Sequence, residues 1–339
     1  MTRATVTIAV AARNEEKHLP SLLDSLSLQT YDRDAVEVVI ADGGSTDATR
    51  AVVETWTRHH DLRVRLIDNP GRVTASGLNE AIAASAADIV LILGAHAAVP
   101  IDFVERSVEA LLESGADCAG GVLETAGATR RGRAIAAATT SPFGVGNARF
   151  RTGSVGARDV DTVAFGAYRR GTFAEVGGFD VSLVGAEDDE LNFRIVRKGG
   201  RIRFDPAVRS TYFCRSTIRA LARQYFMYGR GKAWVLKKHR RPPSVRMLVP
   251  AALIASMAGG VMTAAALRRW SPLVLPVAAY VSGIGFGTAQ TMRGTARVGQ
   301  ECPSWWEISL ALMTLHLSYG SGFVVGVVRA PAAAPSRSN

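Results

Sequence analysis

Cysteine is scarce in this sequence and never falls in a paired motif. Cys118, Cys214 and Cys302 lie far apart in a chain of 339 residues. An odd number without a Cys-x-x-Cys spacing favours reduced thiols over a disulfide framework or a zinc site. Proline (13) and glycine (33) are also modest in number, while 47% of the residues are hydrophobic. This composition excludes collagen-like, low-complexity and wholly disordered chains.

Acidic residues are almost missing from one segment. Between positions 194 and 246 there are 16 Lys and Arg but a single acid, Asp205, whereas the formal charge of the whole chain is only +10. The segment directly precedes long uncharged stretches, so its charge favours a membrane surface over nucleic acid. We therefore expect a membrane partner and no nucleic acid partner.

A secretory signal is also missing from the N-terminal region. The apolar run at 6–12 is short and leads into the charged residues 13–17 instead of a small-residue cleavage site. This pattern predicts that the N-terminal part of the protein stays in the cytoplasm.

The first hundred residues alternate between strand-like and helix-like patterns. Helical spacing predicts helices at 15–28, from 46 or 47 to about 60, and at 74–86. Such alternation predicts an α/β fold with a Rossmann-like, mostly parallel sheet, in which ligands bind at the carboxyl ends of the strands. Polar clusters fall at those ends, at 13–15, 42–47 and 94–96. The predicted strands are 5–11, 36–41, 64–67 and 89–93.

The C-terminal third contains three stretches without a formal charge. They cover 247–267, 271–292 and 308–328, and each is long enough to cross a hydrocarbon layer of about 30 Å. The first two predict transmembrane helices that form a hairpin through a turn at 268–270. The third follows Trp305-Trp306 and contains polar residues, so spanning, re-entering and lying in a groove all stay open.

Basic residues set the expected orientation of the hairpin. Five Lys and Arg precede the first span between 237 and 246 but only two follow it, so the positive-inside rule places the α/β domain in the cytoplasm. Residues 216–238 have the pattern of an amphipathic helix, either interfacial or simply docked on the protein. The predicted division is an α/β domain at 1–214, a basic interfacial segment at 215–246, a membrane region at 247–330 and a disordered tail at 331–339.

Two acidic clusters are candidate sites. In the first, Asp42 ends the second strand before two glycines, and it is suited to accept a hydrogen bond from a nucleotide; Asp47 has the alternative role of a helix cap. The second is the run Glu187-Asp188-Asp189-Glu190, which opens a predicted helix. Part of this run can cap the helix dipole, but crowded carboxylates also repel, and repulsion raises a pKa towards the value that a general base needs.

In combination, the motifs resemble the family 2 inverting glycosyltransferases of the GT-A fold over roughly residues 5–240. The motifs are 11–16, 42–49, 69–72 with Asn79, and 187–191 with Arg194. A closer likeness is to the succinoglycan-type exopolysaccharide glucosyltransferases, carried by 94–97, 163–170, 223–231 and 316–320.

The resemblance implies a nucleotide sugar donor, a UDP-hexose, and a single in-line displacement that inverts the anomeric centre. It assigns Asp188, with Glu187, to catalysis, Asp188 being the base that deprotonates the acceptor hydroxyl. Implied donor-binding residues are Ala11, Arg13, Glu15, Asp42, Ser45, Asn69, Arg72, Gly94, Ala95 and His96. Implied acceptor or diphosphate residues are Gly166, Ala167, Arg194, Arg223, Gln224 and Arg230.

One position departs from the family pattern. The resemblance implies a divalent cation, Mn²⁺ or Mg²⁺, held by Asp-x-Asp or, in the closer branch, Asp-x-His, but Gly94 stands where the first Asp is expected. His96 remains as the only implied metal ligand. Mg²⁺ prefers oxygen ligands, whereas Mn²⁺ tolerates imidazole better. Two routes stay open: a weakly held metal at His96, or cations such as Arg72, Arg223 and Arg230 in its place.

The expected function is transfer of a hexose, glucose from UDP-glucose, to a lipid-linked saccharide in exopolysaccharide or cell-surface glycan synthesis at the inner membrane. One alternative is transfer onto polyprenyl phosphate itself. Another is a non-catalytic membrane scaffold of the same fold, for which Gly94 and Ala41, in place of two usual aspartates, are the signs.

Overall fold

A computed structural model describes residues 3–153, 156–242, 244–297 and 303–329. The chain divides into two compact units. The first comprises Met1–Glu124 and Thr152–Tyr212, and the second comprises Thr125–Arg151 and Phe213–Pro331, as far as these ranges are described. Residues 125–151 therefore group with the C-terminal helices, although the sequence placed them in an N-terminal domain spanning 1–214. The predicted tail at 331–339 lies outside the described residues.

The N-terminal half of the sheet is parallel, as the alternating pattern predicts. Its strands lie in the order β3-β2-β1-β4, and helices follow β1, β2 and β3 in the chain. The elements are β1 (Val6–Ala12), α1 (Leu19–Ser27), β2 (Val36–Asp42), α2 (Thr49–Arg58), β3 (Val64–Asp68), α3 (Thr74–Ala83) and β4 (Ile89–Gly94). A 3-10 turn, Arg33–Ala35, precedes β2.

The other half of the sheet is antiparallel, so the described sheet as a whole is mixed. β8 pairs antiparallel with both β4 and β6, and β9 pairs antiparallel with β5 and β7. The full order is β3-β2-β1-β4-β8-β6-β9-β5. The strands are β5 (Ala97–Ala98), β6 (Cys118–Ala126), β7 (Arg158–Asp159), β8 (Ala167–Arg169) and β9 (Ile202–Phe213), with α4 (Phe103–Ser114), α8 (Arg170–Val176) and α9 (Glu187–Arg197) between them.

The core of the first unit lies against the parallel strands. Ile8 and Val10 of β1 and Ile40 of β2 are fully buried and pack with Leu22 and Leu23 of α1. Central parallel strands are covered on both faces, which explains their nearly continuous apolar sequences. The sheet is therefore a rigid support for the polar loops at its carboxyl edge.

The second unit is helical. Three of its helices, α11, α12 and α13, are long and apolar enough to cross a membrane. They begin at Val249, Ser271 and Trp305, within a few residues of the predicted spans. The helices are α5 (Arg130–Thr140), α6 (Pro142–Val145), α7 (Arg149–Thr152), α10 (Ile218–His239), α11 (Val249–Leu267), α12 (Ser271–Arg297) and α13 (Trp305–Val328), and a 3-10 turn, Val245–Leu248, precedes α11.

Candidate active site

Asp42 is the centre of a hydrogen-bond network at the end of β2. Its buried carboxylate accepts from the Ser45 backbone nitrogen at 3.3 Å and from the Ser45 hydroxyl at 2.5 Å. Arg50 of α2 donates to it at 3.1 Å and to Asp68, at the end of β3, at 2.8 Å. Burial acts to raise the pKa of Asp42, but the hydrogen bonds from Ser45 and Arg50 outweigh it and lower the pKa. Asp42 is thus an ionised acceptor at neutral pH.

The loop after β1 is fastened to the loop after β2. Asn14 adopts a left-handed conformation (φ 57°); its backbone nitrogen donates to the Ser45 hydroxyl, and its side-chain oxygen accepts from the Thr46 nitrogen, each at 2.8 Å. Helix α2 begins at Thr49, later than the sequence predicts, because the Asp47 carboxylate forms a local turn by accepting from the Thr49 nitrogen. The Glu15 backbone nitrogen donates to the Thr49 hydroxyl at 2.8 Å.

Two arginines flank the glycines of this edge. The Arg13 side chain passes Gly43, and the Arg72 guanidinium lies beside Gly44, where a Cβ would be 3.4 Å from its Nε. Within the described residues neither arginine has an ion-pair partner. Asn69 instead is buried and uses its amide inside its own loop, donating to the Val73 carbonyl and accepting from Ser76. Asn69 therefore stabilises the loop that carries Arg72.

Aromatic side chains pack around the end of β4, an arrangement that is not typical of a metal site. A Cβ at Gly94 would lie 3.2 and 3.3 Å from two atoms of the Phe165 ring, and Ala95 is buried in the core. The His96 Nδ1 lies 3.4 Å from a Glu15 carboxylate oxygen, and its ring packs 5.0 Å from that of Tyr212. His96 therefore lies in a cluster of polar and aromatic side chains.

The described residues of this edge offer few ligands to the divalent cation implied by the resemblance. No group of three or more His, Cys, Asp or Glu side chains in the described ranges is arranged to hold a metal ion. Gly94 supplies no ligand, and Phe165 covers the space in which an aspartate would begin. From the protein, a divalent cation would find one imidazole and one carboxylate here, those of His96 and Glu15, and its remaining ligands would have to be donor phosphates and water.

The acidic run forms the first turn of α9, and its four members have different environments. Glu190 is fully buried and pairs with Arg194 at 2.8 Å. Asp188 is exposed, and its carboxylate accepts from the Asp189 nitrogen at 2.8 Å. Burial, and secondarily the charge of Asp189, raises the pKa of Glu187. In this run, Glu190 forms a structural ion pair, whereas Asp188 is an exposed acid next to Glu187, whose pKa is raised.

Arg194 is held almost entirely by the protein. Besides the Glu190 carboxylate, its guanidinium donates to the carbonyls of Val176, Gly177 and Gly178. Arg194 therefore links the turn after α8 to helix α9. These contacts use all three guanidinium nitrogens of Arg194, so no donor is left for its predicted diphosphate or acceptor role.

Helix α9 is anchored beside β8. Asn192 accepts from the buried Tyr168 hydroxyl at 3.1 Å and donates to Thr162 at 2.9 Å. Asp188 lies four residues before Asn192 and so projects from the same helix face. Burial raises the pKa of Tyr168, and the electrostatic influence of Cys118 and then of Asp188 adds to the shift.

Strand β8 links this helix to the end of β4. The Ile92 nitrogen of β4 donates to the Gly166 carbonyl at 3.0 Å, and Ala167 pairs with Leu91. At Gly166 a Cβ would lie within 3 Å of Cys118 and Tyr168, so only glycine fits. The structure thus connects Asp188, Gly166 and the Gly94 edge through adjoining elements of one unit. Arg223, Gln224 and Arg230 lie on α10 in the second unit.

Comparison with known proteins identifies the family. Residues 7–172 match the family described as Glycosyl transferase family 2. The succinoglycan biosynthesis protein ExoA of Rhizobium meliloti is 33% identical over 326 residues, which is 95% of this chain and 95% of that protein. The chain belongs to glycosyl transferase family 2. Its resemblance to the succinoglycan-type branch is confirmed at this level.

More distant similarities agree with the family. A dolichyl N-acetyl-alpha-D-glucosaminyl phosphate 3-beta-D-2,3-diacetamido-2,3-dideoxy-beta-D-glucuronosyltransferase of Methanococcus voltae is 25% identical and covers 69% of this glycosyltransferase chain and 74% of its own. The mannosyltransferase PcManGT from Pyrobaculum calidifontis, solved with GDP-Man and Mn²⁺, superposes with a TM-score of 0.59 at 21% identity, covering 94% of this chain and 88% of that one. The protein has the GT-A fold predicted from its motifs.

Sequence reasoning missed two residues of the site. Arg50 bridges Asp42 and Asp68, and the signal for it was available, because these acids end neighbouring parallel strands and oppose each other in register. Phe165 lies within the 163–170 motif, but its contact with Gly94 had no local signal, since it joins positions 71 apart that only the β4–β8 pairing brings together.

Proposed function

We propose that this family 2 protein is a membrane-anchored, inverting glycosyltransferase that moves a hexose from a nucleotide sugar to a lipid-linked saccharide. The observation that carries the proposal is the placement of Asp188, an exposed carboxylate at the start of a helix that is anchored to the strand beside the donor edge. Fold alone would not assign activity; in this proposal the exposed Asp188 carboxylate is the base that the reaction needs.

In the proposed reaction, Asp188 accepts the proton of an acceptor hydroxyl as its oxygen forms a bond to the anomeric carbon. The bond from that carbon to the nucleotide diphosphate breaks in the same step, so the configuration inverts. A positioned base of this kind contributes about 10²–10⁴-fold to the rate. Glu187, with its raised pKa, lies next to this base and is proposed to tune its surroundings.

The donor is proposed to lie over the carboxyl edge of β1, β2 and β4. Asp42, presented by Ser45 and Arg50, accepts from the nucleotide, with Ala11 and Glu15 bordering it. Negative charge develops on the departing diphosphate and must be neutralised. Arg13 and Arg72, which have no ion-pair partner in the described part of the chain, supply that charge in this proposal, and no step passes through a metal at His96.

The acceptor side of the proposal rests on the second unit and on the relatives. The Methanococcus voltae protein is named for a dolichyl phosphate-linked sugar acceptor, and α11 and α12 are apolar enough to hold an enzyme at a bilayer. A shared surface raises the effective concentration of a lipid-linked acceptor. We propose UDP-glucose as donor, the inner membrane as location and a cytoplasmic catalytic unit, with Gly166, Ala167, Arg223, Gln224 and Arg230 on the acceptor or diphosphate side.

A panel of nucleotide sugars tests this proposal. Membranes that contain the full chain are supplied with lipid-linked saccharides, and release of nucleoside diphosphate is measured for each donor. UDP-glucose should give release that depends on the saccharide. Release with polyprenyl phosphate alone would favour the simpler acceptor, and no release from any donor would favour a non-catalytic scaffold.

A further inference from the structure

Helix α13 lies directly against α10 along most of its length. Gly229 of α10 packs on the Tyr319 carbonyl, and Gly322 of α13 packs on the Phe226 carbonyl. Neither position has room for a side chain, so the two backbones are in contact. Near the C-terminal ends of both helices, the Trp234 indole donates to the Arg329 carbonyl at 3.1 Å. The two helices therefore run parallel, side by side, within the second unit.

Helix α10 is strongly basic. Its 22 residues include six Lys and Arg and no acid, and Arg219, Arg223 and Lys237 are exposed. A charged side chain in the hydrocarbon centre of a bilayer is expensive, and such residues are rare there. Because the helices are joined along their length, α13 cannot cross the hydrocarbon without carrying α10 with it.

The face of α13 that points away from α10 is apolar. Val324 and Val328 are exposed and lie opposite Gly322 and Gly326, the residues that touch α10. Trp305, Trp306 and Leu310 extend the exposed apolar surface to the start of the helix. A basic helix, α10, packed beside a helix with an apolar outward face, α13, is typical of a segment that lies in the membrane interface.

Helix α13 contacts both arms of the α11–α12 hairpin away from its turn. In its first half, the Ser309 hydroxyl lies 2.9 Å from that of Thr288 in α12. In its second half, Gly320 packs on Pro250 and Ile254 in the first turns of α11. The turn side of the hairpin, including Met262 and Trp270, is exposed.

We propose that α13 lies in the membrane interface together with α10 and that only the α11–α12 hairpin crosses the bilayer. The partner of the α13 outward face is the lipid surface. This inference rests on the proposed membrane anchoring, and it adds the number of crossings: two, so that the first unit and the end of α13 face the same side.

Cysteine labelling of the full chain tests the number of crossings. The three native cysteines are replaced by alanine, and single cysteines are introduced as Leu28→Cys in the first unit, Trp270→Cys in the hairpin turn and Ser338→Cys near the C-terminus. Leu28 and Trp270 are 66% and 77% exposed, so both should react when reagent reaches them. A membrane-impermeant maleimide is applied to intact and to permeabilised spheroplasts, and Arg269→Cys repeats the turn measurement with the tryptophan kept.

The expected result is that Ser338→Cys behaves like Leu28→Cys and opposite to Trp270→Cys and Arg269→Cys. If Ser338→Cys reacts from the same side as the hairpin turn, α13 crosses the bilayer and the inference is wrong, while the membrane anchor stands. If the turn and Leu28→Cys react from the same side, the hairpin does not cross, and both the inference and the proposed anchor fail.

Discussion

Replacing Arg194 distinguishes a structural from a donor-binding role for this residue. Glu190 is fully buried, and its carboxylate is held by Arg194 at 2.8–3.1 Å. In Arg194→Met the carboxylate loses its charged partner in the interior. Breaking a buried ion pair by removing one partner costs about 3–5 kcal/mol, and the carbonyls of residues 176–178 lose their donors as well.

The stability loss should be large enough to measure directly. At about 2–4 °C per kcal/mol for a unit of this size, Arg194→Met is expected to unfold roughly 6–20 °C lower than the natural chain. Arg197→Met is the matched control, because Arg197 is exposed on the same helix one turn or less away; its effect should stay within about 0.5 kcal/mol. Thermal unfolding of the purified full chain in detergent, followed by tryptophan fluorescence, gives both values.

A double replacement and a binding measurement complete the test. Glu190→Leu with Arg194→Met leaves no buried charge, so it should regain much of the lost stability. UDP affinity measured by calorimetry on the folded Arg194→Met protein should match that of the natural chain. Unchanged stability together with weakened UDP binding would refute this reasoning and restore the diphosphate role that the sequence motif implies.

Three further predictions follow from other parts of the molecule. Chelation by EDTA should leave turnover essentially unchanged, because Gly94 and Phe165 do not form a metal site. Loss of a metal that contributes several kcal/mol to catalysis would lower turnover by more than about 100-fold. In the absence of such a metal, Arg72→Ala should weaken donor binding. Burial raises the pKa of Glu187 above its unfolded value, so its contribution is lost as pH rises through the folded pKa, and Glu187→Gln should raise the unfolding temperature at about pH 7 but not at about pH 4. Gly322→Val forces a side chain against the Phe226 carbonyl and should cost about 1–3 kcal/mol from overpacking, measured against Gly285→Val, whose Cβ meets nothing within 4 Å.

The parallel half of the sheet was predictable because its signals are local. Each strand and the helix after it are read from one short window, and the residues at the strand ends, Asp42 among them, follow from the register of parallel strands. The antiparallel half was not predictable from local pattern. β8 has only three residues, and its partners β4 and β6 are fixed by long-range pairing.

The division into two units shows the same limit. Helix α5 opens with Arg130 and Arg131 and resembles a surface helix of a soluble domain, yet its buried residues Ile135 and Ala138 pack with Leu312 of α13. Arg130 pairs with Glu307 at 3.0 Å across 177 positions. No sequence pattern within residues 125–151 predicts contacts with residues so distant in the chain.

The role of Asp188 is tested most directly by comparing Asp188→Asn with Asp189→Asn. Both changes remove one carboxylate from the same helical turn, so the change in net charge is matched, and thermal unfolding of both variants checks that each is folded. Nucleoside diphosphate release from the donor, with acceptor present, should fall by about 10²–10⁴-fold in Asp188→Asn and change little in Asp189→Asn. Equal turnover in the two variants would contradict the assignment of Asp188 as the base and, with it, the proposed reaction.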